Sequence, residues 1–292
     1  MAFLFQKGRL PSRRGVLGIN GRNLELLYTH NDRRSFVNVD DKLLCKRLLA
    51  SAGIPTPTTY HVVTGPKSLP AWRTSLEGVE RFVVKPNRGY GGNGVMLFAR
   101  SGSNFTSSGR EFNYADVEFH VLQICNGAFS LDNISDTAYF EETLENHEAL
   151  AHFIDDQIEG IADVRLIFRG DQPVMAMVRI PTRESGGRAN LHQGGIGIGI
   201  DLDTGRTVGG CYRNTVIEKH PETGCDLRDV SVPGFSEMLE YGARISEIVG
   251  LGYIGIDFAC DYRYGPLVIE VNARPGLNIQ IANQVGLRRR LR

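Results

Sequence analysis

The chain holds 292 residues, with 33 basic and 33 acidic side chains, a formal net charge of +0, 41% hydrophobic and 23% charged residues. That mixture excludes a disordered or fibrous chain, and a chain of this length buries roughly three quarters of its unfolded surface without staples. Neutrality argues against nucleic acid as a partner, and no run of eighteen apolar residues offers a membrane span.

Residues 1–39 read as basic and loop-like. VDDKLLCKRLLASAGIPTP predicts a short helix capped by Asp40 or Asp41, with Leu43, Leu44 and Leu48 on one face and Gly53 with Pro55 ending it. Strands are expected at 80–85 (ERFVVK) and 95–100 (VMLFAR), joined by a glycine-dense turn. Residues 101–136 are polar around one helical patch, 117–125. AYFEETL (138–144) is strand-like and HEALAHFI (147–154) helical. From 163 the pattern turns to strand: DVRLIFR, then VMAMVRI, then IGIGID after a glycine-rich loop. PGFSEMLEYGARISEIVG (233–250) predicts an amphipathic helix with Pro233 in its first turn and Phe235, Met238, Leu239, Ile245, Ile248 and Val249 as its stripe. YIGIDFAC and LVIEVN close the chain, and the arginines 288, 289, 290 and 292 read as a solvated end or as the continuation of a helix. So many consecutive strands do not suit a simple βαβ winding.

Cys45, Cys125, Cys211, Cys225 and Cys260 are odd in number, with no CxxC pair, so neither a zinc site nor a disulfide framework is indicated. The N-terminal apolar residues precede the basic ones, the reverse of a secretory signal, which makes the cytoplasm the expected location.

KPNRGYGGNGV (85–95) carries Gly89, Gly91, Gly92 and Gly94. A dinucleotide-binding loop needs a following helix, and a Walker loop needs a terminal Gly-Lys-Ser/Thr. A kinase loop needs its lysine on a later strand. None is present. What remains is a hairpin whose glycines admit phosphate oxygens to the backbone, with Lys85 supplying charge on the entering strand; the competing reading is a mobile hairpin tip.

Strand alternation puts Gly255, Asp257 and Ala259 on one face of YIGIDFAC, and Glu270 with Asn272 on one face of LVIEVN. If the connecting loop is symmetric about 263–264, Asp257 lies opposite Glu270, with Asn272 one step along. Two such carboxylates repel unless a cation sits between them, and an all-oxygen set suits Mg²⁺; the competing reading is a solvated strand face. Between these elements lies GGRANLHQGG. Its Arg188 and Asn190, alternating onto one side, suit phosphate oxygens or form a polar surface turn, and His192 reads as a satisfied polar side chain.

Together, VDDKLLCKRLL, VVKPNRGYGGNGV, ADVRLIFRGDQPVMAMVR, RANLHQGG and GIDFAC…LVIEVNARPGL resemble the ATP-grasp ligases over residues 15–287. They are most like the α-L-glutamate ligase (RimK-type) branch and a glutamate ligase-like bacterial subgroup. The resemblance implies an α+β fold of two α+β subdomains clamping the nucleotide: 1–39 a short N-terminal segment, 40–144 the first subdomain, and 145–292 the second, with the metal and phosphate site. Lys42, Lys85, Gly91, Gly92 and Gly94 would meet ATP phosphates. Phe140, Glu141, Glu142, Thr143 and Leu144 would form the hinge that bonds adenine through its backbone, with Glu141 and Thr143 nearest the base and 154–158 as the other candidate. Asp163 would meet the ribose or the acceptor side, and Arg165 would belong to the same nucleotide set. Asp257, Glu270 and Asn272 match ligands of Mg²⁺, in two ions, with Mn²⁺ as an alternative. Arg188 and Asn190 match residues near the γ-phosphate, and Arg274, where glutamate ligases commonly carry serine, would grip phosphate or a substrate carboxylate.

The implied reaction is ADP-forming carboxylate–amine ligation through an acyl phosphate, adding glutamate or another amino acid to a peptide or protein acceptor. A phosphotransferase using His192 and a non-catalytic ATP-binding module are the alternatives. Only 41 residues precede Lys42, where such ligases carry a domain of roughly 100 residues. The acceptor site is therefore expected to be open, or to be completed by a second subunit in a homodimer or by a partner.

Overall fold

The computed structural model describes residues 15–130 and 133–291. By contact the chain divides into two compact units, one of residues 40–46 and 56–144, the other of residues 15–39, 47–55 and 145–291.

The first unit is an antiparallel sheet of β1 (Thr59–Val63), β2 (Arg81–Pro86), β3 (Met96–Ser101), β4 (Asn104–Ser107), β5 (Arg110–Phe112) and β6 (Ala138–Glu142), in the spatial order β1-β6-β2-β3-β4-β5. Alternation turns Phe82, Val84, Phe98, Phe105, Ala138 and Phe140 to one face. There they pack on Trp72 and on Val117, Val121 and Ile124 of the helix Tyr114–Cys125. Trp72 stacks on Phe140 with centroids 5.1 Å apart, and aromatic rings of this size carry most of the apolar area in so small a core. The helix starts at Tyr114, earlier than its apolar patch indicates, because Asn113 and Asp116 form a reciprocal capping box. Residues 104–112, expected as irregular polar chain, instead form β4 and β5, with Phe105 and Ser107 of β4 buried on the core side.

The second unit is a sheet in the order β11-β10-β9-β8-β7-β13-β14, with β12 paired to β10. Its strands are β7 (Asp163–Arg169), β8 (Gln172–Ile180), β9 (Ile196–Ile200), β10 (Arg206–Tyr212), β11 (Thr215–Ile217), β12 (Arg228–Ser231), β13 (Tyr253–Asp261) and β14 (Gly265–Asn272). One face carries Val164, Leu166, Phe168, Ile254, Ile256 and Phe258, all buried. The helix Phe235–Val249 covers it, and contact is close enough that a β-carbon on Gly242 would meet the Phe168 ring at 2.2 Å. Pro233 stands outside the first turn, because Gly234, in the left-handed region at φ 65°, is the N-cap.

Residues 15–39 are not loop-like. They run through short helical pieces, including a π-helical stretch Asn23–Leu27 that buries Leu26 and Leu27 side by side. Asn31 ties the segment to β13 by accepting from the Tyr253 backbone N–H and donating to its carbonyl, at 2.7 and 2.8 Å. The helix Lys42–Ser51 is capped by Asp41, which accepts from Leu44 N at 2.8 Å, and its buried residues are Cys45 and Leu49, not Leu43, Leu44 and Leu48. At the other end, Leu287–Arg289 is a 3₁₀ turn anchored by buried Leu287, and Arg288 pairs with Glu25; Arg292 lies outside the described residues. All five cysteines are free thiols. Among the described residues, no helix is long and apolar enough to cross a membrane.

Candidate functional site

The sheet of the first unit has a second, polar face. Val83 opposes Glu141, and Lys85 opposes Tyr139, so Lys85 and Glu141 are diagonal neighbours on the side away from the aromatic core. Lys85 reaches the Glu141 carboxylate from β2, and Lys46 reaches it from the helix Lys42–Ser51 while also donating to the Pro57 carbonyl at 2.6 Å. Glu141 is 3% exposed. Burial pushes its carboxyl up, but Lys85 and Lys46 outweigh that and hold it below the ordinary range. Burial pushes the Lys46 ammonium down, and Glu141 only partly restores it. The Glu141 carboxylate thus serves two lysines, and Lys46 is the member that sequence reasoning missed.

Lys42 donates to the Gly89 carbonyl at 2.6 Å, so it lies against the glycine hairpin. Gly91, Gly92 and Gly94 all have positive φ, and a β-carbon at Gly94 would meet the Phe129 ring at 2.6 Å, which leaves glycine the only residue that fits. Glu142 accepts from Thr58 N at 3.2 Å, and Thr143 and Leu144 follow the end of β6, which stops two residues sooner than the pattern indicated. Residues 154–158 are a turn closed by Ile158 N on the Asp155 carbonyl at 2.8 Å, not a strand.

Replacing Glu141 with Gln is expected to cost about 2–3 kcal/mol at pH 7, the range for a broken buried pair discounted for the partial exposure of both lysines. Because the folded carboxyl lies below its ordinary 4.5, its contribution is present above that pH and is lost as pH falls through the folded value. Denaturant unfolding of both proteins at pH 7 and in acid should show the gap closing at low pH.

In the second unit, register builds the other cluster on the face opposite the helix Phe235–Val249. Asp163 of β7 opposes Arg179 of β8; Arg165 of β7 opposes Asp257 of β13, which opposes Glu270 of β14; Gly255 opposes Asn272. Arg165 grips Asp257 with two bonds of 2.7 and 2.6 Å. Arg179 grips Asp163 with two of 2.5 and 2.7 Å and reaches Asp257 at 2.8 Å. Asn272 Nδ2 donates to Asp257 at 3.2 Å.

Burial pushes Asp257 up, but Arg165 and Arg179 together hold it below its usual value. Asp163 is pushed up to about 6 by burial and by Asp257, against the opposing pull of Arg179. Burial pushes Arg179 down, and its two carboxylate partners more than reverse this.

Asp257 and Glu270 do face one another as alternation indicated, and the cations beside Asp257 are guanidinium groups of the protein itself. Among the described residues, no group of three or more His, Cys, Asp or Glu side chains is arranged to hold a metal. Carboxylate and amide oxygens of the kind on Asp257, Glu270 and Asn272 are the donor types Mg²⁺ takes, with water and phosphate completing its shell.

Arg188 and Asn190 do not alternate on a strand. Asn190 N bonds the Arg188 carbonyl at 2.8 Å, bending the chain, and the Asn190 side chain accepts from His192 N at 3.0 Å as a turn cap. Arg188 is exposed. Arg274 lies over the Phe36 ring at 4.4 Å, and Arg22 holds the carbonyl of the next residue, Pro275, at 3.0 Å.

The probable α-L-glutamate ligase of Xanthomonas oryzae pv. oryzae (strain MAFF 311018) is 27% identical over 258 residues, 88% of this chain and 64% of that protein. The one from Chromohalobacter salexigens is 28% identical over 88% of this chain and 63% of its own length. The chain thus spans less than two thirds of the curated relatives it matches. Among solved structures, biotin carboxylase from Campylobacter jejuni in its β-γ-ATP complex superposes with a TM-score of 0.54 at 13% identity, covering 90% of this chain and 47% of that one, a likeness of fold. The model of the sugar-transfer associated ATP-grasp family matches residues 21–292, and the chain belongs to that family.

Proposed function

We propose that this protein is an ATP- and Mg²⁺-dependent carboxylate–amine ligase. The observation that carries the reading is the Arg165–Asp257–Glu270 row with Asn272 beside it: oxygen donors and guanidinium groups on one sheet face, the combination that phosphoryl transfer requires. The names of the relatives support the same reaction class.

In this reading a substrate carboxylate oxygen attacks the γ-phosphorus of ATP, and the bond to the β-phosphate oxygen breaks to release ADP. An amine then attacks the acyl carbon of the acyl phosphate, expels phosphate and loses a proton, leaving an amide. Asp257, Glu270 and Asn272 would hold Mg²⁺, which when bound neutralises phosphate charge. Lys42 and Lys85 with the Gly91–Gly94 backbone would bind phosphate oxygens, and residues 140–144 would carry the adenine. Arg165, Arg188 and Arg274 would offset negative charge on phosphate or on the substrate carboxylate. Asn190 would position this loop through its turn, and Asp163 would orient Arg179. Glutamate or another amino acid as the added unit and a peptide or protein tail as acceptor belong to the same proposal. His192, the residue a phosphotransferase would use, donates its backbone N–H to the Asn190 side chain at 3.0 Å.

The test is ADP release from Mg²⁺·ATP against amino acids, short peptides and protein acceptors. One carboxylate–amine combination should stimulate release about tenfold or more, with an amide product of matching mass, as expected when binding energy of the correct acceptor is needed to assemble the reacting groups. Release that no such combination stimulates would overturn the proposal.

A further inference from the structure

The glycine hairpin between β2 and β3 is tied to the rest of its unit at both stems. On the entry side, the Asn87 side-chain oxygen accepts from Leu43 N at 2.8 Å, Arg88 N donates to the Asp136 carboxylate at 2.9 Å, and Lys42 reaches the Gly89 carbonyl. On the exit side the tie is His120, in the middle of the helix Tyr114–Cys125, whose Nε2 stands 3.0 Å from the Gly94 carbonyl oxygen. A carbonyl oxygen only accepts, so Nε2 carries the proton and the imidazole is the donor. Between the stems, Tyr90, Gly91 and Asn93 are exposed.

The place of His120 in its helix makes this bond informative. Val117, Val121 and Ile124 form a buried apolar stripe, and His120 lies among them at 7% exposure. Leucine would satisfy the packing there. A buried imidazole costs free energy unless its polar atoms are bonded, and its Nε2 proton goes to the hairpin, not to its own helix. Phe129 forms the other side of the seat. Its ring centroid is 5.5 Å from that of His120, and its ring stands 2.6 Å from where a Gly94 β-carbon would be. Gly94, at φ 75°, is thus held at its carbonyl by one side chain and at its α-carbon by another.

We infer that His120 is a positioning residue for nucleotide binding: through the Gly94 carbonyl it fixes the exit stem of the hairpin, so that the Gly91–Gly94 backbone is in place before phosphate arrives. The inference rests on the ligase reading above, in which that backbone meets the phosphates, and adds to it a residue that acts through the hairpin. A hairpin held at one stem has more conformations than one held at two. Ordering it on binding costs free energy that shows as lost affinity, and His120 removes that cost in advance.

The test titrates the full chain with a non-hydrolysable ATP analogue in the presence of Mg²⁺. Chymotrypsin cleavage after Tyr90, at the exposed tip, reports the freedom of the hairpin. His120→Leu keeps the bulk and removes the donor. It should weaken analogue binding about fivefold to tenfold, the worth of one hydrogen bond, and speed cleavage at Tyr90. Its melting temperature should stay close to that of the wild type, because leucine suits the apolar stripe. His120→Gln restores an N–H at similar reach and should recover most of the affinity and slow the cleavage again. Phe129→Leu, which loosens the other side of the seat, should act in the same direction as His120→Leu and keeps the test if that variant fails to fold.

Analogue affinity and Tyr90 cleavage that stay at wild-type values in His120→Leu and Phe129→Leu would overturn the inference and leave the ligase reading standing. Equal losses in the Leu and Gln variants would do the same, since packing and not the donor would then carry the effect. A wild type that binds no analogue with Mg²⁺ present would overturn both.

Discussion

Changing Arg179 to Met is expected to destabilise the protein by about 3–5 kcal/mol, the range for removing one partner from a buried ion pair. At about 2–4 °C per kcal/mol for chains of this order, the melting temperature should fall by roughly 10 °C. Arg179 is the side chain that joins Asp163 to Asp257, with three bonds of 2.5, 2.7 and 2.8 Å, and Met fills its volume without its charge. Asp257 keeps Arg165, so the uncompensated charge is that of Asp163. The loss should therefore depend on pH. A carboxyl at about 6 in the folded protein, against an ordinary 3.8, favours folding when protonated, and that advantage disappears as pH rises through the folded value. Without Arg179 the carboxyl moves further up, so the deficit should be small near pH 5 and grow to pH 8. Adding Asp163→Leu should recover most of the lost stability. Thermal melts of both variants across this pH range check the result, and a deficit that ignores both pH and the second substitution would contradict it.

Glu270→Gln should lower stimulated ADP release by about a thousandfold, since metal-assisted charge stabilisation is worth several kcal/mol and each decade of rate corresponds to about 1.36 kcal/mol. Glu270 is half-buried and opposes Asp257 on the polar face, while Val268 and Val271 of the same strand carry the packing. Glutamine keeps the shape and removes the charge, so the fold should be little affected. Higher Mg²⁺ should restore part of the activity. Full activity at ordinary Mg²⁺ would remove Glu270 from the site.

The Asp257–Glu270 pair is read from a hairpin assumed symmetric about 263–264; the turn is in fact centred on Arg263, and an irregularity between Asp257 and Phe258 restores the expected pairing. The Asp163–Arg179 pair was not legible by the same arithmetic, because a register shift between Ile167 and Phe168 offsets the pairing, and the one clue was a lone arginine in an apolar strand. Lys46 was not legible in this way. Its partner is 95 residues away, and only the packing of helix on sheet brings them together. Arg188 and Asn190 were misplaced because a strand was assumed where Gly186, Gly187 and Gly194 adopt positive φ and turn the chain. Residues 15–39 hid their burial because two adjacent leucines in a π turn break the 3.6-residue period by which an amphipathic helix is found. Strand β10 escaped for a different reason: Gly209 and Gly210 carry no side chain to mark a face.

One irregularity in β14 bears on how this hairpin tolerates insertions and deletions. Near its turn, Asp261 pairs with Gly265 and Phe258 with Val268, yet Asp257 pairs with Glu270, so Ile269 is an extra residue in a bulge. Had the register near the turn continued, Ile269 would oppose Asp257 and Glu270 would point to the packed face. The bulge works like a spacer between two rulers, separating the length of the loop from the phase of the acidic end. Deleting Ile269 would straighten the strand and still leave Glu270 opposite Asp257, whereas deleting Val271 would turn Asn272 over. Length variation in this hairpin should thus be absorbed at the bulge, with the charged row kept in phase.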